Sequence, residues 1–162
     1  MDSKTDLKLK HDLVLKGGRV IDPMQGLDAV RDIAFSGGRV SAVVESLDGA
    51  TAKRVEEVSG KIISPGLIDL HTHVYWGGTG LGVKAEPVAR RSGTTTFIDA
   101  GSAGAGNYAG FQSFIADPTP LNVLGFLNIS FAGICGFSCT TPNMFPECED
   151  IRLLDTAECV RT

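Results

Sequence analysis

The chain has 162 residues, 43% of them hydrophobic and 21% charged, which suits one domain or parts of two and excludes a disordered or fibrous protein. Fifteen Lys and Arg against 19 Asp and Glu leave a net charge of −4, and no basic stripe interrupts the balance, so a nucleic-acid partner is not expected. The charged opening residues carry no apolar core of a signal peptide and no apolar run reaches membrane-spanning length, so the expectation is a cytoplasmic protein without a membrane partner.

Residues 12–21, 30–35 and 39–45 are short β-branched runs punctuated by Gly17-Gly18, Asp22-Pro23 and Gly37-Gly38, a pattern that predicts antiparallel hairpins. Runs 54–58 and 61–64, split by Ser59-Gly60, extend this to a small β-sandwich of about five strands over residues 1–64. At Pro65-Gly66 the pattern changes. Residues 67–70 read as a strand buried on both faces. A Gly-rich loop (77–82), a helix (83–91), a strand (94–100), a helix (107–116), a strand (121–129) and a final helix (150–161) follow. This alternation over 65–162 is the start of a parallel α/β array. There is no internal repeat at a solenoid period.

The chemistry concentrates at the end of the first of these strands, in Pro65-Gly66-Leu67-Ile68-Asp69-Leu70-His71-Thr72-His73. Residues i and i+2 of a strand point to one face, so His71 and His73 can converge on one metal ion. Barrel enzymes place catalytic groups at the C-terminal ends of strands, where this pair falls. Asp69 is expected on the same face, one step deeper, where it could take an imidazole N–H and fix the tautomer.

Three segments, KGGRVIDP, GKIISPGLIDLHTH and RRSGTTTFIDAG, resemble the amidohydrolase superfamily, and within it the dihydroorotase-like amidohydrolase/deacetylase metallohydrolases. The resemblance implies an α/β fold: an N-terminal β-sandwich portion, then the first three βα units of a distorted (β/α)₈ barrel. It also implies one or two divalent ions, usually zinc, with His71 and His73 as ligands of the more buried one. The implied reaction is metal-assisted hydrolysis of an amide, N-acyl, cyclic amide or ester bond in a small molecule. A homo-oligomer of the full-length protein is left open. The family's further ligands have no identifiable counterparts here. A complete barrel takes about 250 residues, and the shortfall after Pro65 is read as truncation, with the fragment alone inactive.

Other features have competing readings. Gly78 and Gly80, in the loop after the histidines, either line a substrate pocket or only shape the loop. Asp99 and Asn128 end the second and third strands; Asp99 is read as a cap, and Asn128 stays open between cap and substrate contact. Residues 104–109 satisfy G-x-G-x-x-A after a strand, but no acidic residue follows at the end of the next strand, as a dinucleotide fingerprint requires. A flexible loop explains these glycines better. Cys135, Cys139, Cys148 and Cys159 match no paired C-x-x-C zinc pattern and are read as reduced, small buried hydrophobes. The alternatives to a hydrolase are a non-catalytic interaction subunit of the same fold and a dinucleotide-binding oxidoreductase.

Overall fold

The computed structural model describes residues 10–134 and 151–162. The chain divides into two compact units, Met1–Pro65 and Gly66–Thr162. Among the described residues no helix is long and apolar enough to cross a membrane. Cys135, Cys139 and Cys148 lie outside the described residues, and Cys159 is a half-buried free thiol.

The first unit is one five-stranded sheet. Its strands are β1 (Leu13–Asp22), β2 (Leu27–Ser36), β3 (Arg39–Val44), β4 (Val55–Glu57) and β5 (Ile62–Ile63). The hairpins β1–β2 and β2–β3 are antiparallel as expected. Gly37 and Gly38 both take positive φ (57° and 73°), the backbone that a two-residue turn between twisted strands demands. Gly17-Gly18 behaves differently. It is a shift of register inside β1, not a turn.

The cause is Asp32, a carboxylate 4% exposed. It accepts the backbone N–H groups of Gly17 and Leu47, each at 2.8 Å, and Lys16 Nζ stands 3.6 Å away. Gly17 can turn its N–H toward that carboxylate because it adopts φ 72° without a Cβ penalty. The expected second layer is not among the described residues. β4 and β5 instead run parallel to β1, β4 along its first half and β5 along its second. Ten residues of β1 give both short strands a place on the same edge.

The second unit holds three parallel strands in the order β6 (Leu67–Thr72), β7 (Thr94–Asp99), β8 (Asn122–Gly125). Between the first two lies α1 (Ala85–Ser92), ended by Gly93 at φ 74°, whose N–H returns to the Ala89 carbonyl. Arg90 and Arg91 complement the negative end of its dipole. Between the second and third lies α2 (Tyr108–Phe111), which widens into a π-helical turn at Gln112–Ala116. A 3-10 turn (Ile151–Leu153) and α3 (Thr156–Arg161) complete the described chain.

One face of this sheet packs on the helices through Val74, Ala85, Phe97, Ala103 and Phe111, all buried. The other face is bare among the described residues. Ile68 (60% exposed), Leu70 (71%), Leu124 (59%) and Phe126 (63%) lie open there. The expectation of a first strand buried on both faces is corrected accordingly: its outer residues find no cover within these residues.

Candidate metal site at the end of the first parallel strand

His71 is the penultimate residue of β6 and His73 follows its last, so the pair sits at the C-terminal end of the strand. Their ring centroids are 5.7 Å apart with planes at 82°. Two imidazoles bound through one nitrogen each to a single tetrahedral zinc at 2.0–2.1 Å would have centroids about 5.3 Å apart. The observed spacing fits two ligands of one cation. His71 is exposed and His73 half-buried, so neither ring is sealed in hydrocarbon. Among the described residues no third His, Cys, Asp or Glu joins them, so the donor set fits a divalent metal but does not complete its coordination.

Asp69 does not occupy the expected place. Register pairs Asp69 with Phe97 and Thr72 with Asp99, so the alternation slips by one residue between them. Asp69 therefore falls with Phe97 on the helix side, whereas His71 and His73 flank Thr72 on the other. The Asp69 carboxylate accepts the backbone N–H of His71 at 3.1 Å, a local side-chain-to-backbone bond in place of an imidazole bond.

The contact to a histidine ring comes from elsewhere. His73 Nδ1 lies 3.0 Å from Ser102 Oγ, and Ser102 is fully buried. Asp99, 1% exposed, organises both. One of its oxygens accepts the N–H of Val74 at 2.7 Å and the other the N–H of Ser102 at 2.7 Å. Asp99 is thus a backbone clamp, in keeping with a capping carboxylate. Ser102 carried no signal in the sequence; nothing in its spacing separates it from other loop serines.

The loop after His73 closes on itself. Val83 N–H donates to the His73 carbonyl at 2.9 Å, and Gly78 N–H to that of Tyr75 at 3.0 Å. A Cβ on Gly78 would sit 2.5 Å from the Tyr75 ring, so this glycine makes room for an aromatic side chain of its own loop. Gly80 is exposed. Lys84 Nζ lies 5.3 Å above the Trp76 ring, and both border a cleft of about 270 Å³ with Glu86, Phe114 and Thr119. Glu86 is held below the usual carboxylate range by its own backbone N–H and then by Thr119. Neither histidine lines that cleft, which opens beside Val74 on the helix side.

Asn128 is committed internally. Its Nδ2 donates to the Gly101 carbonyl at 2.9 Å and its Oδ1 accepts from Ser130 N–H at 2.9 Å, so the amide ties the loop after β7 to the loop after β8. The glycines of residues 104–109 serve the same junction. A Cβ on Gly104 would stand 1.8 Å from the Ser130 carbonyl oxygen. Gly104 N–H goes to Asn107 Oδ1 and Gly106 N–H to the Phe131 carbonyl, so neither is free to cradle a pyrophosphate. The dinucleotide reading therefore loses its donors.

No protein-family model matches the chain. It is similar to a deacetylase from Brucella anthropi, 38% identical over 131 residues, covering 79% of this chain and 31% of that protein. A deacetylase from Agrobacterium fabrum is 35% identical over 125 residues, covering 76% of this chain and 30% of that protein. Among solved structures, a dihydroorotase superposes with a TM-score of 0.74 at 27% identity, over 92% of this chain and 38% of that one. An adenine deaminase gives 0.73 at 26%, over 93% and 37%. The chain spans about a third of the length of the curated relatives it matches. Over that span it has their α/β fold, and it belongs to the amidohydrolase superfamily.

Proposed function

We propose that these residues form the opening part of a divalent-metal-dependent hydrolase with a (β/α)₈ barrel, acting on a C–N bond (amide, N-acyl or cyclic amide) or a related ester of a small molecule. The observation that carries this reading is the pair of imidazoles, 5.7 Å between centroids, at the C-terminal end of a parallel strand. The names of the relatives support hydrolysis and deacetylation in particular.

His71 and His73 would hold the ion, with zinc favoured by imidazole ligands. When bound, such an ion supplies a Lewis acid that polarises the scissile carbonyl and acidifies water. The chain's own residues do the rest of what is visible here. Asp99 fixes the backbone on either side of the His73–Ser102 contact, and exposed Gly80 is the loop's candidate for substrate contact. Asn128 acts by holding two loops together rather than by touching substrate. Two imidazoles fall short of the three protein ligands usual for catalytic zinc, so the 162 residues alone are expected to lack turnover.

The test is metal analysis of the purified full-length protein, with assays on N-acyl amino acids and cyclic ureides. Stoichiometric metal that is lost, together with hydrolysis, in His71→Ala and His73→Ala supports the reading. A folded full-length protein without stoichiometric metal would instead indicate a non-catalytic member of the fold.

A further inference from the structure

Building on that metal reading, we propose that Ser102 is a positioning residue for His73. Its hydroxyl accepts the Nδ1–H of the imidazole, which fixes the tautomer and the ring orientation and leaves Nε2 bare for a divalent cation. A neutral imidazole carries one N–H, and the partner of one nitrogen decides which lone pair is exposed. Metal-bound imidazoles commonly receive this service from a carboxylate or a carbonyl. Here Asp69 is spent on the backbone of His71, and the partner within reach of Nδ1 is Ser102 Oγ at 3.0 Å.

The serine is built in. It is 0% exposed, its N–H is fixed by Asp99 and its carbonyl accepts the N–H of Ile134 at 3.1 Å. The same Asp99 carboxylate grips Val74, the residue after His73. Imidazole and hydroxyl are therefore anchored to one buried group, and their separation is set by backbone geometry rather than by a mobile side chain. His71 provides the contrast. Among the described residues its ring nitrogens meet no hydrogen-bonding side chain, so Ser102 acts on one histidine of the pair.

The experiment is long-range ¹H–¹⁵N correlation NMR of the metal-free protein at alkaline pH, where the imidazoles are neutral. The three histidines of these residues are assigned by His11→Gln, His71→Gln and His73→Gln. The expected result is a dominant Nδ1–H tautomer for His73 alone. Ser102→Ala should return His73 to the pattern of a solvated imidazole and leave His71 unchanged, while Ser102→Thr, which keeps the hydroxyl, retains the wild-type pattern. Zinc affinity of Ser102→Ala should fall about 10-fold or more, the usual consequence of removing a ligand's orienting partner. A wild-type His73 in the Nε2–H form, or a tautomer indifferent to loss of the hydroxyl, overturns the proposal. The wild-type spectrum decides even if a variant fails to fold. Histidine signals unmoved by zinc would sink the metal reading separately, because the tautomer is measured without metal.

Discussion

The carboxylate of Asp99 accepts the backbone N–H of Val74 at 2.7 Å, so the chain leaving the second histidine is pinned to the end of the neighbouring strand. The other oxygen serves Ser102, and the group is almost completely buried. Asp99→Ala would strand two backbone donors away from water, at about 1–3 kcal/mol each. We expect the unfolding free energy to fall by that amount, read as a lower urea midpoint at unchanged slope, together with weaker zinc binding. An unchanged midpoint would mean that solvent reaches these donors freely.

The two imidazoles should respond to metal together. Titrating the protein with zinc is expected to shift the ring signals of His71 and His73 in parallel and to spare His11, whose Nδ1 lies near the hydroxyls of Ser36 and Ser41. Either single alanine variant should weaken zinc binding at least 10-fold, since one imidazole grips poorly. Independent responses of the two rings would argue against a shared ion.

Acid sensitivity of the first unit should trace to Asp32. Burial pushes its carboxyl up, but the N–H groups of Leu47 and Gly17 and the charge of Lys16 outweigh that and hold it below the usual range. A lowered folded-state pKa adds stability above the unfolded value of about 3.9, and this is lost as pH falls through the folded-state value. Asp32→Asn should lower stability at neutral pH by about 2 kcal/mol and flatten the acid limb of the stability profile. A variant with the wild-type acid limb would remove Asp32 from this role.

Gly104→Ala should be severely destabilising. The new methyl would stand 1.8 Å from the Ser130 carbonyl oxygen and 2.6 Å from Gly133 N, both backbone atoms that cannot swing aside. Overpacking of this kind costs about 3 kcal/mol or more. Gly106→Ala meets the Phe131 ring, which can turn, and should be milder. Thermal melts that rank the two variants the other way would contradict this account.

Local features were legible before the fold was known. Turn glycines at 37–38, the break at Pro65-Gly66 and the strand–helix alternation after it follow from short-range preferences, and the histidine spacing carries its own geometric meaning. What escaped depends on partners distant in sequence. The face of Asp69 is set by a slip against β7. The parallel docking of β4 and β5 depends on the length of β1. Ser102 meets His73 across a separation of 29 residues. The glycines of residues 104–109 resemble a phosphate loop because close backbone crossing and anion cradling both require a missing side chain.

The arrangement of β1 bears on how the first unit comes together. Its antiparallel neighbour β2 follows within a few residues, but its other edge waits for strands that begin at Val55 and Ile62. Local pairings close cheaply and distant ones slowly, so the β1–β2–β3 meander is expected to gain amide protection first in pulse-labelling hydrogen exchange. Until the later strands arrive, the nascent meander presents an unsatisfied ribbon of donors and acceptors. Early chaperone capture or mispairing of newly made chains should therefore concentrate along that edge.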